Sequence, residues 1–379
     1  MFGFSLQKKK SNTRLVISVE KSQIRACFVS VDEYEKPYIL TQEVQEFQTS
    51  GSVAELYKTI HKILFKITKK HPTTVSSIHC VLSSAWSVSK IETYLRDEEV
   101  VFSLYEKDLN KILSDFVDTT KESLENNNQN LFDKFQILEQ NIIHLSINGY
   151  SVEEIFKRDV RRLEAVLYAS FVSTSLLENI KEEIERHIRG VVTFSTATLA
   201  EFVVVRDIFE NIEQFTLISV DEQQTNVSFI DDGVLRSTTN FLLGNSIFKT
   251  RVEYANKHYP SMLSGLTMLQ KGTSHENIDP DLKNILTLTE RDWRDRFLGF
   301  FQGKTIPNTV ILVSSQENSS FWLKRAIESP QNKHLSLTGT NLHAILITTE
   351  LLDSFVGSKT ERPDLKLMIY ASFTTLRNK

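Results

Sequence analysis

A run of strand-like segments followed by a helix occurs twice in this chain of 379 residues. The first copy starts at Arg14 with two short, β-branched apolar segments and a third extended segment, and an amphipathic helix begins at Val53. The second copy starts at Phe215, about 200 residues further on, and turns at Asp232-Gly233, a dipeptide typical of tight β-hairpins. This duplication predicts a two-lobed α/β protein with a crevice between its lobes.

The segment between the two copies, 84–194, has a different character. Extended segments alternate there with a helical pattern at 105–124 and another around 176–188. This predicts a small α+β subdomain inserted into the first lobe. The predicted organisation is a basic tail at 1–12, a first lobe at 13–83 and 195–212, an inserted subdomain at 84–194, a second lobe at 213–363, and a C-terminal helix at 364–379 that packs on the first lobe.

Composition and charge exclude several classes of protein. The formal net charge of −4 argues against a dedicated nucleic-acid binder. Cys27 and Cys80 form no CxxC motif, which excludes disulfide and zinc scaffolds. No apolar window is long enough for a transmembrane helix. The basic run Lys8–Lys10 is followed by no apolar stretch, so the N-terminal segment is not expected to be a secretory signal. It is interpreted as a solvated tail or, because Phe2 and Phe4 lie beside the lysines, as a weak membrane-surface contact.

Four short segments carry a resemblance to a known superfamily. They read Ser-Val-Glu-Lys-Ser-Gln-Ile-Arg at 18–25, Ser-Val-Asp-Glu-Gln-Gln-Thr-Asn at 219–226, Asp-Gly-Val-Leu-Arg-Ser-Thr-Thr at 232–239 and Ser-Ser-Gln at 314–316. By order and spacing, the chain from Arg14 to Leu376 resembles the actin-like ATPases, and its insert resembles that of the FtsA and PilM branch. The resemblance implies a duplicated ribonuclease H-like fold with an SHS2-like insert.

The resemblance also places three nucleotide-binding loops on this sequence. In the first loop the family's Asp and Gly fall on Ser18 and Glu20, and Lys21 and Ser22 follow. In the second loop the family's Asp falls on Ser219, its glycines on Asp221 and Glu222, and its closing Asp on Asn226. The third, a glycine turn under the adenosine, falls on Ser314, Ser315 and Gln316. The complete degenerate pocket is Ser18, Glu20, Lys21, Ser22, Ser219, Asp221, Glu222, Gln224, Thr225, Asn226, Ser314, Ser315 and Gln316, of which Thr225 matches the family.

These replacements predict the loss of ATP and Mg²⁺. A phosphate cradle needs inward-pointing amides that no side chain obstructs, and Mg²⁺ needs a carboxylate. The chain has only 12 glycines, and none lies in these loops. Glu20, Asp221 and Glu222 would instead present bulk and negative charge to a triphosphate. The alternative is a modified site in which Lys21 contacts phosphate and Asp221 is a displaced metal ligand.

The remaining chemistry in the sequence is sparse. HExxH, GxSxG and P-loop motifs are absent. The histidines are therefore interpreted as surface or core residues and not as metal ligands, so no metal site is expected, and His79 has no catalytic partner in the sequence. An aromatic-rich stretch containing Trp293 and Trp322 is interpreted as core, with a peptide-binding groove as the alternative.

The resemblance implies a cytoplasmic, non-catalytic adaptor at the inner face of the membrane. An FtsA-like protein would tether the division ring through a short peptide tail. The alternative is a PilM-like protein, which would bind the cytoplasmic peptide of a pilus inner-membrane partner. An active ATPase of the same fold is a further alternative. Self-association would use the insert, with strands such as 162–172, and no nucleic-acid partner is expected.

Overall fold

The structure is a computed structural model that describes part of the chain. The described residues are 13–32, 36–47, 53–69, 74–127, 134–152, 158–272, 279–301, 304–314 and 316–377. The predicted basic tail at 1–12 and Ser315 lie outside them.

The described elements follow the order expected for a duplicated α/β chain. The strands are β1 (Thr13–Val19), β2 (Gln23–Val31), β3 (Pro37–Glu46), β4 (Thr74–Leu82), β5 (Ser87–Leu104), β6 (Phe135–Ile147), β7 (Tyr150–Ser151), β8 (Arg158–Ser173), β9 (Arg189–Thr196), β10 (Phe215–Val220), β11 (Thr225–Asp231), β12 (Val234–Phe241), β13 (Thr309–Ser314), β14 (His343–Leu346) and β15 (Gly357–Ser358). The helices are α1 (Val53–Thr68), α2 (Glu106–Asn127), α3 (Thr174–His187), α4 (Ala197–Ile208), α5 (Ser246–Tyr254), α6 (Tyr259–Gln270), α7 (Pro280–Phe300), α8 (Glu317–Ile327), α9 (Thr349–Leu352) and α10 (Leu365–Leu376), with a 3₁₀ helix at Pro330–Leu335.

Within the described residues, the first of two compact units falls in 13–82, 175–195 and 349–377. Its sheet has the order β15-β3-β2-β1-β4-β9, with β1 antiparallel to β2 and parallel to β4. Strands β1 and β2 are buried along nearly their whole length, because helices cover the sheet. Helix α1 packs on β2 and β3, and α10 packs on β1, β2 and β3. Cys27 and Cys80 are buried in this sheet, as the sequence predicts for small core residues.

Helix α10 is buried on all its sides. Its N-cap is Asp364, whose side chain accepts a hydrogen bond from the Leu367 amide at 3.0 Å. A helix that is apolar all round belongs in the interior of a protein. The structure therefore places the C-terminal helix in the same unit as β1, where the sequence analysis expects it.

The second unit comprises 83–174 and 196–348 and contains two sheets. One has the order β12-β11-β10-β13-β14. The predicted hairpin between β11 and β12 is present, and Asp232 and Gly233 both have positive φ, 55° and 67°, as a type I′ turn requires. The other sheet has the order β5-β8-β6-β7 and packs against α2.

The units divide the chain differently from the predicted boundaries. Helix α3 was predicted in the insert, but it leads into β9, which pairs beside β4 in the first sheet, so 175–195 lies in the first unit. The segment 349–363 also joins the first unit, because β15 pairs with β3. Helix α4 groups with the second unit. These strands are short or polar at one end, so their pairing is not visible in the sequence pattern.

The strand named for self-association occupies the middle of its sheet. Strand β8, which contains 162–172, is hydrogen-bonded to β5 on one side and to β6 on the other. Its backbone is thus already paired and offers no edge to a second copy. Among the described strands of this sheet, β5 is an outer one, and it exposes Leu95, Val100 and Val101.

Candidate functional site

The first predicted loop is the tight connection between β1 and β2 in the first unit. The Glu20 amide donates to the Gln23 carbonyl at 3.0 Å, so Lys21 and Ser22 form a two-residue turn. Ser18, which stands at the position of the family's Asp, is buried and pairs with Arg25 in the β1–β2 register. A hairpin loop is therefore present, and the residue at which the resemblance places the metal-side carboxylate is a buried serine.

Glu20 points into the protein and is compensated there. Its side chain is 2 % exposed, it forms a buried ion pair with Arg25, and it accepts from Gln23 Nε2 at 3.1 Å. Burial by itself would raise the pKa of this carboxyl, but the charge and hydrogen bond of Arg25, with a smaller contribution from Lys366, hold the pKa below its usual value. Arg25 in turn donates a hydrogen bond from its Nε to Asp364, the N-cap residue of α10, at 2.9 Å. The negative charge of Glu20, which would repel a triphosphate, is therefore neutralised inside the protein by Arg25. The volume of its side chain is still present at this position.

The second predicted loop, between β10 and β11, closes in the same way. The Asp221 amide donates to the Gln224 carbonyl at 2.9 Å, which leaves Glu222 and Gln223 as the turn. Gln224 donates from Nε2 to Ser84 Oγ at 2.6 Å and to Asn226 Oδ1 at 3.1 Å. Both amide side chains are thereby bonded within the second unit.

Thr225, the one residue that the resemblance matched to the family's motif, has a structural role here. It is fully buried, donates its hydroxyl to the Leu243 carbonyl at 2.6 Å and accepts from the Trp293 indole at 3.2 Å. Both hydrogen-bonding directions of the hydroxyl are thus used inside the core. Trp293 is itself fully buried and stacks on Phe297, so the aromatic-rich stretch forms core, as predicted.

A glycine outside the predicted loops fixes the second loop in place. A Cβ on Gly244 would lie 2.2 Å from the Asp221 carbonyl oxygen and 2.6 Å from the Glu222 carbonyl carbon. The next two amides, of Asn245 and Ser246, donate to the Asp221 and Glu222 carbonyls, each at 2.8 Å. This contact has no local signal in the sequence, because Gly244 follows β12 and is distant from the loop along the chain.

The third predicted loop, at the end of β13, lies against the second. Ser314 donates to Asn245 Oδ1 at 3.3 Å, and Gln316 donates from Nε2 to Glu222 Oε1. Asn245 is buried and also donates to the Val220 carbonyl at 3.1 Å. The structure thus brings the second and third loops together inside one unit and joins them through their own side chains.

The backbone of both hairpin loops lacks the conformation of an anion-binding nest. Such a nest alternates right- and left-handed residues so that successive amides converge. The described residues with positive φ are Asn148, Asp232, Asn256 and four glycines, Gly149, Gly233, Gly272 and Gly339. None of them lies in 18–26 or 219–226, both of which are fully described. Neither loop therefore turns its amides toward a common point through a left-handed residue.

His79 is a core residue. Its Nδ1 lies 2.8 Å from the Thr193 hydroxyl, and its ring lies beside Phe373. Burial lowers the pKa of His79 to about 3, and the positive charges of Arg377 and Arg14 add to the effect. It is neutral at physiological pH, in agreement with the interpretation of the sequence.

Comparison with known proteins gives matches by structure. No protein-family model matches the sequence, and no curated protein matches it. A chain of the PilM-PilN type IV pilus biogenesis complex superimposes with a TM-score of 0.56 over 96 % of this chain and 98 % of that chain, at 13 % identity. A second match is a protein of unknown function with an actin-like ATPase fold from Bacteroides thetaiotaomicron. The match covers 98 % of this chain and 99 % of that chain, with a TM-score of 0.43 and 11 % identity.

The chain has an actin-like ATPase fold. The superposition on the chain of the PilM-PilN complex confirms the predicted actin-like α/β fold, whereas the SHS2-like character of the insert stays a prediction. At this identity the likeness concerns the fold alone. A third structure, component A of the Acidaminococcus fermentans (R)-2-hydroxyglutaryl-CoA dehydratase, covers 96 % of this chain and 99 % of its own at 9 % identity and a TM-score of 0.43. Within the described residues, every helix is too short or too polar to cross a membrane.

Proposed function

We propose that this actin-like chain is a non-catalytic adaptor, a pseudo-ATPase that binds neither ATP nor Mg²⁺. The observation that carries the proposal concerns Glu20 and Glu222, which stand where the resemblance places glycines of the family's phosphate loops. Glu20 is held by Arg25, and Glu222 by Gln316, so each loop is filled and bonded by the chain's own side chains. A phosphate that entered either loop would have to displace those bonds.

The metal side of the site supports the same proposal. Ser18 and Ser219 stand where the family has aspartates, and each is no more than 2 % exposed. Mg²⁺ is held in proteins by carboxylates and phosphate oxygens, and a buried hydroxyl supplies no charge to it. Lys21, which the alternative of a modified site assigns to phosphate, would act without a metal partner in its own loop.

For the partner, we favour a pilus inner-membrane protein over the division ring. The supporting observation is the superposition on a chain of the PilM-PilN complex over nearly the full length of both chains. On this proposal the chain acts at the cytoplasmic face of the membrane and recognises a short peptide of a membrane-bound partner. The division-ring role stays a prediction for which the structure adds no separate support.

Peptide binding by the full chain tests the adaptor role. We expect a fluorescently labelled cytoplasmic peptide of the PilN-like protein from the same genome to bind saturably, with a dissociation constant on the order of 10 μM. Since the adaptor needs no nucleotide, adding Mg-ATP or substituting Lys21→Ala should leave that constant unchanged. Fluorescence anisotropy measures it, with a scrambled peptide as the control.

The same titration separates the alternatives. Binding of the C-terminal tail of the division-ring protein, and not of the pilus peptide, would overturn the choice of partner. Failure of both peptides to bind would overturn the adaptor role itself. Peptide affinity that rises with Mg-ATP would contradict the pseudo-ATPase proposal.

A further inference from the structure

Three side chains of the first unit, His61, Glu183 and His187, converge away from the predicted loops. Glu183 and His187 lie one turn apart on α3 and share a face of that helix. His61 extends toward them from α1. His61 Nδ1 lies 2.9 Å from Glu183 Oε1 and 3.0 Å from His187 Nε2, and His187 Nε2 lies 3.4 Å from Glu183 Oε1.

This triangle has the dimensions of a metal site. In a tetrahedral zinc site with bonds of about 2.0 Å, neighbouring ligand atoms are separated by roughly 3.3 Å. The three edges measured here lie close to that value. Two imidazoles with one carboxylate are also a frequent ligand set for zinc, with three protein ligands and one open position.

The surroundings orient the ligands and leave a way in. The second oxygen of Glu183 accepts from Arg186 Nη1 at 2.8 Å, which fixes the carboxylate as outer partners do in metal sites. The side chains of Glu183 and His187 are only 9 % and 13 % exposed, whereas that of His61 is 59 % exposed. Two ligands are thus pre-positioned, and the third faces solvent, from which an ion can enter.

We propose that His61, Glu183 and His187 bind one divalent transition-metal ion of the zinc class, with the fourth position open to water. Imidazole ligands favour zinc, copper and nickel over Mg²⁺ and Ca²⁺. The ion would join α1 to α3, the helices that directly precede the neighbouring strands β4 and β9. The proposal does not depend on the nucleotide loops or on the peptide partner.

Titration of the full chain with Zn²⁺ tests the site. After removal of any affinity tag and dialysis against EDTA, isothermal titration calorimetry should show one ion per chain, with a dissociation constant on the order of 1 μM or lower. Because one of three ligands is lost, His187→Ala and Glu183→Gln should each weaken binding at least about tenfold. Mg²⁺ should give no saturable heat.

A matched control and a second readout make the test decisive. His334→Ala removes an exposed histidine of the 3₁₀ helix and should leave the affinity unchanged. If His187→Ala fails to fold, the exposed His61→Ala serves in its place. Bound Co²⁺ should give the absorption of a tetrahedral site, which the ligand variants should abolish. Absence of one-to-one Zn²⁺ binding, or equal affinities in His187→Ala and His334→Ala, would overturn the proposal.

Discussion

Replacing Arg25 by methionine should lower the free energy of unfolding by about 3 to 5 kcal/mol. Arg25 is 2 % exposed and pairs with two carboxylates, those of Glu20 and Asp364. Its removal takes away the ion pair of the buried Glu20 carboxylate, which keeps the hydrogen bond from Gln23 and the charge of Lys366. Urea unfolding of the wild type and of Arg25→Met measures the difference.

The pH dependence identifies the cause of that loss. In the wild type the pKa of Glu20 is below its unfolded value, so Glu20 contributes stability above about pH 4.3 that is lost as the pH falls through the folded pKa. In Arg25→Met burial would raise the pKa of Glu20 above the unfolded value. As the pH falls, the folded variant then takes up a proton on Glu20 before the unfolded chain does. The difference in the free energy of unfolding between the wild type and Arg25→Met should therefore shrink from pH 8 to pH 5.

Two further variants control the Arg25 experiment. The double variant Arg25→Met/Glu20→Leu should recover part of the lost stability, since no buried carboxylate remains at position 20. Lys181→Met removes an exposed pair with Glu185 and should cost no more than about 0.5 kcal/mol. A loss for Arg25→Met as small as that for Lys181→Met would contradict the role given to the Glu20–Arg25 pair.

Gly244→Ala should destabilise the protein by about 3 kcal/mol. The new Cβ would meet three backbone atoms of the second loop, the nearest being the Asp221 carbonyl oxygen at 2.2 Å. Backbone atoms cannot rotate away as a flexible side chain can. The loop must therefore move and strain the hydrogen bonds from Asn245 and Ser246. Thermal and urea unfolding measure the loss.

The matched control is a glycine with open space around it. Gly299 lies within α7, and a Cβ there would meet no atom within 4 Å. Gly299→Ala should therefore stabilise the protein by up to about 1 kcal/mol, through helix propensity. Equal effects of the two substitutions would show that the packing of Gly244 on the second loop is unimportant.

The strongly periodic parts of the fold could be predicted from the sequence. Alternation and apolar runs identify β10 and β11 nearly to the residue, and Asp232-Gly233 identifies the turn that follows them. Helix α10 was found from its apolar face after Pro363. In each case the signal is local, because the residues that determine the element lie within it.

The features that could not be predicted from the sequence depend on partners that are distant along the chain. Strand β9 is exposed at its start, and only its pairing beside β4 makes it part of the sheet. From the sequence alone Glu20 would be an exposed loop carboxylate, and only the fold places Arg25 beside it and Asp364 beside Arg25. The absence of CxxC spacing excluded a cysteine zinc scaffold but carried no information on His61, which meets α3 only in the folded chain.

Direct titration with Mg-ATP tests the central claim, that an actin-like fold is kept here without its nucleotide. A micromolar site would contribute about 8 kcal/mol and be plain in calorimetry. The filled loops predict no saturable heat up to millimolar Mg-ATP and no change on Lys21→Ala. Saturable binding of one ATP per chain that Lys21→Ala abolishes would contradict this account.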